Sequence, residues 1–188
     1  MTTETGLDDL PATAWVVLGV LSFKEELSGY DIKQWMDQSV AFFYWSPSQS
    51  QIYSELRRLE DHGFATSRID RTHEIRYRRL YRVTDLGRER AQEWVAHPDT
   101  ESVVLKHPLI LRVWAAHNGG PTQLIPALKR HRRTLGEELE RIERHIANAK
   151  HRPEWAYSVI ALEWAQRQRQ SDIEHLDWLV TRLTSMPQ

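Results

Sequence analysis

The chain of 188 residues contains no cysteine. A disulfide framework, a thiolate nucleophile and Cys-ligated zinc are thereby excluded, and a reducing compartment is expected. Charge of one sign is equally lacking. Lys and Arg number 25 against 26 Asp and Glu, a net −1, so the whole molecule is no polycation drawn to any acidic surface. Affinity for nucleic acid would have to come from local placement of charge. No apolar run approaches the roughly 20 residues that span a bilayer. Met1 to Leu10 is acidic and polar rather than basic and then apolar, so no secretory leader is expected there. A cytoplasmic protein without membrane contact is the expectation. What the chain does have is 40% hydrophobic residues, enough for packed cores and against disorder as the main state.

Enzyme signatures are also missing. There is no phosphate-cradling glycine loop, no His-Glu-x-x-His zinc helix and no Gly-x-Ser-x-Gly elbow. The nine histidines are scattered, with no close pair of ligands backed by carboxylates. No catalytic residue, metal or cofactor is expected.

A division near residue 97 separates a half that alternates helix and strand signals from a half that is helical throughout. Residues 1–10 are expected to be a flexible start, 11–96 one domain, 97–106 a linker and 107–188 a second domain. In the first domain, Trp15, Val16, Leu18, Gly19, Val20 and Leu21 predict a helix buried on most sides. Ser28 and Asp31 form a capping-box pattern that starts a second helix, with Ile32, Trp35, Met36 and Val40 toward a core. A third helix is expected from Ser46 as N-cap, with Pro47 at its first position and Gln49 three residues after the cap, to His62 before Gly63. Its Ile52, Leu56 and Leu59 form the core stripe.

Beyond Gly63 the period changes to two. Ile75, Tyr77, Tyr81 and Val83 are expected on one strand face and Arg76, Arg78 and Arg82 on the other. Phe64 to Asp70 would pair with that strand around a turn at Arg71-Thr72-His73-Glu74. Thr84 then caps a fourth helix bearing Leu86, Ala91, Trp94 and Val95. The order predicts a mainly α protein whose N-terminal domain is a winged helix-turn-helix with a two-stranded wing.

A major groove about 12 Å wide admits one helix that carries short donors and acceptors together with cations. The outer face of the third helix meets that description. Ser46, Ser48, Ser50, Gln51, Tyr53 and Ser54 are candidates for bases or phosphates, as is Tyr30 on the second helix. Arg57 and Arg58, farther along the helix, suit the DNA backbone. Arg71, Thr72, His73, Arg76 and Arg78 are the candidates on the wing. Residues 67–82 hold six Arg against Asp70 and Glu74, although residues 1–96 as a whole carry 12 basic and 15 acidic groups. The competing reading is a winged-helix adaptor that binds protein rather than DNA. Reversing the charge of Arg76, Arg78 and Arg82 would abolish a salt-sensitive DNA affinity and spare a mainly apolar protein contact.

The segments Gly29-Tyr30-Asp31-Ile32, Ser46-Pro47-Ser48, Ile52-Tyr53-Ser54-Glu55-Leu56-Arg57-Arg58-Leu59-Glu60-Asp61-His62-Gly63 and Tyr81-Arg82-Val83-Thr84-Asp85-Leu86-Gly87-Arg88 resemble the motifs of PadR-type transcriptional regulators. The match covers most of residues 13–96, and residues 107–184 are similar to the virulence-activator-like helical domain of longer members. Ser54 departs from the pattern, which often has proline after the Ile-Tyr pair. The resemblance implies a dimeric, usually repressing regulator of phenolic-acid, stress or multidrug genes.

In the second half, Leu128, Leu135, Leu139, Ile142, Ile146 and Ala149 follow steps of 7, 4, 3, 4 and 3. Trp155, Val159, Leu162, Gln166, Arg169, Ile173, Leu176, Val180 and Leu183 alternate 4 and 3. Two long antiparallel helices are predicted, with Pro108 to His117 as a shorter segment laid against them. Ile160, Trp164, Trp178 and Leu179 lie off the seam and call for a second copy of the chain, hence a homodimerisation domain. Gln166 and Arg169 interrupt the seam and either fix register or line an effector cavity. Trp114, Trp164 and Trp178 are the candidates for interface or pocket. The basic run Lys129 to Arg133 is expected to be a solvated helix face. The expected partners are thus a pseudo-palindromic DNA operator, a second copy of the chain and a small-molecule effector.

Overall fold

The structure, a computed structural model, describes residues 10–71, 77–97, 106–118 and 123–186. Residues 1–9 of the start expected to be flexible over 1–10, the residues Thr72, His73, Glu74, Ile75 and Arg76, and most of the expected linker lie outside them, while Leu10 is buried. The chain divides into two compact units, Met1–Thr100 and Glu101–Gln188.

The first unit begins with α1 (Ala12–Leu21), whose Trp15, Val17, Leu18 and Leu21 are buried. Leu10, just before it, also belongs to the core. A two-residue strand, β1 (Leu27–Ser28), leads into α2 (Gly29–Gln38) through the expected capping box. The Asp31 amide donates to Ser28 Oγ at 3.2 Å, and the Ser28 amide donates to Asp31 Oδ2 at 2.9 Å. A short 3-10 turn at Val40–Phe42 precedes α3 (Gln49–Asp61). Ile52, Leu56 and Leu59 of α3 are fully buried, as their spacing predicts.

The start of α3 corrects the expected cap. Ser48, not Ser46, is the N-cap, in a box with Gln51: the Gln51 amide donates to Ser48 Oγ, and the Ser48 amide donates to Gln51 Oε1 at 2.8 Å. Ser46 is held elsewhere, donating to Asp37 Oδ1 at 2.5 Å while Lys33 donates to its hydroxyl at 3.0 Å. The expected end stands, because Gly63 follows with φ 72°.

β2 (Ala65–Asp70) and β3 (Arg78–Val83) pair antiparallel with Ala65 opposite Val83 and Asp70 opposite Arg78. β1 adds to the other edge of β3, with Leu27 opposite Tyr81. The wing is therefore part of a three-stranded sheet in the order β1-β3-β2. The sequence hides β1 because two residues show no period. Tyr81 and Val83 face the core with Ala65 and Leu27, but Tyr77 precedes β3 and is exposed. Leu80, on the arginine-bearing face, is buried.

Thr84 caps α4 (Asp85–Ala96), accepting from the Gly87 amide at 3.0 Å and donating to the Gly63 carbonyl at 2.7 Å. Gly87 lies against the Phe64 carbonyl, where a Cβ would stand 2.1 Å from the oxygen. Trp94 of α4 stacks on Trp15 at 5.6 Å, yet remains exposed on its other side.

The second unit comprises α5 (Pro108–Trp114), α6 (Leu124–Ala149) and α7 (Ala156–Thr184). Leu128 and Leu135 of α6 form a core with Ile173, Leu176 and Leu179 of α7, and Leu109 and Val113 of α5 pack onto it. Leu179, expected off the seam, is buried within one chain. Ala165, which the 4-3 alternation passes over, is buried too. Among the described residues no helix is long and apolar enough to cross a membrane.

Candidate nucleic-acid interface

Core burial of Ile52, Leu56 and Leu59 turns the opposite face of α3 to solvent. Ser48, Ser50, Gln51, Tyr53, Ser54, Arg57 and Arg58 are all exposed. Two of the expected groups are committed at the cap, since the Ser48 hydroxyl and the Gln51 amide oxygen bond each other's backbone. The amide nitrogen of Gln51 is the half that this box does not use. Ser50 Oγ lies 3.0 Å from Ser48 Oγ. Arg57 and Arg58 stand two to three turns up the helix, about 14 Å from the cap at 1.5 Å per residue. Arg58 Nε donates to Glu55 at 3.0 Å, a surface pair that a phosphate can replace at little cost.

α2 carries a second exposed aromatic ring. Tyr30 is 60% exposed and Tyr53 44%. The Tyr30 hydroxyl accepts from Gln34 Nε2 at 2.9 Å, one turn along α2. Gln34 is not among the residues expected from the sequence; its i, i+4 spacing from Tyr30 is the signal that points to it. Ser46, by contrast, is half-buried in its network with Asp37 and Lys33.

The wing charge is arranged differently from the expected open excess. Arg68 grips Glu26 with two bonds, Nε at 2.7 Å and a second nitrogen at 2.5 Å. That bond holds the Glu26 carboxyl below its ordinary pKa and raises Arg68. Arg78 lies 3.6 Å from Asp70, and Arg79 lies 4.0 Å from Glu60 of α3. Glu26 and Glu60 stand outside the hairpin, so counting charges along the hairpin alone overstates its field. The Arg71 guanidinium lies over the Tyr77 ring, 5.7 Å from its centroid. Thr72, His73 and Arg76 lie outside the described residues.

In the second unit, Trp114 is 75% exposed and lies edge-on to His117. Trp164 and Trp178, at 57% and 61%, share one outer face of α7 with the exposed Tyr157 and Ile160. Gln166 and Arg169 are on the other side, toward α6. Gln166 Nε2 donates to Glu143 at 3.3 Å, and Arg169 Nε donates to Glu138 at 2.8 Å. These bonds tie the polar interruption of α7 to acidic groups of α6. A shallow groove of about 320 Å³ beside them includes Leu139, Glu143, Gln166, Gln170 and Glu174. The tryptophans and Arg169 are not among its lining residues.

Residues 17–93 match the transcriptional regulator PadR-like family, and residues 105–184 match the virulence activator alpha C-terminal family. The chain is 33% identical over 100 residues to the negative transcriptional regulator PadR of Bacillus subtilis, covering 53% of this chain and 54% of that relative. It thus spans about half the length of that curated relative. Two solved structures of Bacillus subtilis PadR share its fold. The complex with operator DNA has TM-score 0.79 and 22% identity over 92% of this chain and 99% of that one. The complex with p-coumaric acid has TM-score 0.69 and 20% identity over 98% and 100%. The Vibrio cholerae virulence activator AphA superposes with TM-score 0.69 and 20% identity over 94% and 100%. A PadR-like domain is thus followed by a virulence-activator C-terminal domain, the two-domain make-up of a PadR-type transcriptional regulator, and the curated relatives that match are described as transcriptional regulators.

Proposed function

We propose that this regulator binds double-stranded DNA as a homodimer in the cytoplasm, each copy laying α3 in a major groove of a pseudo-palindromic operator. The observation that carries this reading is the outer face of α3, where Ser50, Tyr53, Ser54 and Arg57 are exposed. Ser50 and Tyr53 supply hydroxyls for base edges or phosphates, and Arg57 supplies a cation for the backbone. Arg71 and Arg78 assist from the wing. In this reading residues 11–96 bind DNA, 97–106 link, and 107–188 dimerise through the outer face of α7 that carries Trp164 and Trp178. A twofold dimer demands a twofold site, with half-sites about one helical turn apart.

Repression released by a small-molecule or stress signal is the regulatory mode we propose. Its support is the description of the Bacillus subtilis relative as a negative regulator and that protein's structures with operator DNA and with p-coumaric acid. An effector acts by favouring one separation or orientation of the two DNA-binding heads, which requires different affinity for the two arrangements. Trp114, Gln166 and Arg169 are the candidates for sensing it.

The test is titration of a labelled duplex from the region upstream of the protein's own reading frame, against unrelated DNA, at two salt concentrations. Tighter binding to the first duplex, weakened by salt, supports the proposal. Equal binding to both, or none, overturns it. An Arg71, Arg78 and Arg82 charge-reversed variant is expected to lose that salt-sensitive affinity, whereas under the adaptor reading the wild type binds neither duplex and the variant keeps a mainly apolar protein contact.

A further inference from the structure

Gly29 opens α2 with ordinary helical backbone, since Gly63 alone has positive φ among the described residues. Its backbone therefore does not call for glycine. Alanine would favour the helix more strongly. What calls for glycine is a neighbour: a Cβ on Gly29 would stand 2.6 Å from Tyr53 Cε1, 2.8 Å from Cζ and 3.1 Å from the phenol oxygen. Real Cβ atoms do not approach carbon so closely. The outer end of the Tyr53 ring thus lies directly over the Gly29 α-carbon, which is buried beneath it.

The ring remains 44% exposed, so one side is seated and the other is open. It bridges α3 to the first turn of α2, next to Tyr30. A phenol fixed by packing presents its hydroxyl at a defined place and loses little rotamer freedom when it binds. We propose that Gly29 is a positioning residue for DNA recognition: a notch at the start of α2 that seats Tyr53 and aims its hydroxyl at the duplex. The inference rests on the DNA-binding reading above. It adds that a residue making no contact with DNA determines how well the DNA is discriminated.

The displaced group in Gly29→Ala is the far end of a half-exposed side chain, free to rotate outward. The fold survives and the aim is lost. The experiment compares the wild type with Gly29→Ala, Tyr53→Ala and the double variant. DNA affinity is measured on the upstream and unrelated duplexes, thermal unfolding by circular dichroism, and ring placement by 19F NMR of fluorotyrosine-labelled protein. The Tyr53 resonance is assigned by its loss in Tyr53→Phe.

Expected is a shifted Tyr53 resonance in Gly29→Ala, with affinity for the upstream duplex about tenfold weaker. Affinity for unrelated DNA is nearly unchanged, and Gly29→Ala has no further effect once Tyr53 is alanine. An unmoved resonance overturns the proposal, as does an equal loss of affinity in the Tyr53→Ala background. Should Gly29→Ala unfold, a folded double variant supports the seat, and an unfolded one overturns it. If the wild type binds neither duplex, the DNA-binding reading and the role of the notch in it both fall. The resonance then still reports whether Gly29 seats Tyr53.

Discussion

Gly87 is the residue whose replacement has the most confined consequence. It stands in the first turn of α4 against the Phe64 carbonyl, and a Cβ there would lie 2.1 Å from that oxygen and 3.0 Å from Val83 Cγ2. Backbone cannot rotate away as a tyrosine ring can. Gly87→Ala is expected to destabilise the first unit by at least about 2 kcal/mol despite alanine's better helix propensity, measured as a lower denaturant midpoint. His145 on α6 gives a pH-dependent counterpart. Burial, followed by Arg141 and Arg144, holds its pKa below the ordinary histidine value of 6.5. In the unfolded chain the imidazole takes up its proton near that value, whereas in the fold it resists. Its contribution is thus complete above pH 6.5 and is lost as pH falls toward the lowered folded value. His145→Gln should flatten the decline in urea midpoint between pH 7.5 and 5.5; an unchanged slope would count against it.

The elements show which signals are local. The Ser28 and Thr84 caps stand at the positions their patterns indicate, because each cap is decided within three or four residues. The start of α3 offers two such patterns, Ser46-Pro47 and Ser48-x-x-Gln51. The contact that separates them, Ser46 to Asp37, comes from α2 and leaves no periodic trace. Ser48→Ala should therefore cost about 1 kcal/mol and fray the start of α3, while Ser46→Ala leaves its cap intact; amide exchange at Ser50 to Tyr53 distinguishes them. The wing illustrates the same limit. That two strands pair is legible, although β3 starts at Arg78 and not at Ile75; β1 pairs with residues 52 to 54 positions away and the Arg68 grip on Glu26 spans 42. Glu26→Gln weakens that grip and frees Arg68 for phosphate. Salt dependence of DNA binding should then steepen by about one unit of log K against log salt, and an unchanged slope would show that Arg68 stays away from DNA.

At the scale of the molecule, the two units follow from a change of period in the sequence, which is why winged helix and helical pair are both legible. Assembly is less so. The apolar residues left by α6 and α7 divide in a way the 4-3 spacing does not foresee: Leu179 and Ala165 turn inward, while Ile160, Trp164 and Trp178 stay out. A helix apolar on two sides needs a partner on each. Replacing Trp164 and Trp178 with Glu should shift sedimentation at micromolar concentration toward monomer while leaving the helical content unchanged. A persistent dimer would move the interface elsewhere. The proposed function places paired α3 helices on the duplex, and hydroxyl-radical footprinting of the upstream duplex tests this most directly. It should give two protected patches on one face, centred about one helical turn apart and related by a twofold axis. A single patch, or uniform protection shared with unrelated DNA, would contradict it.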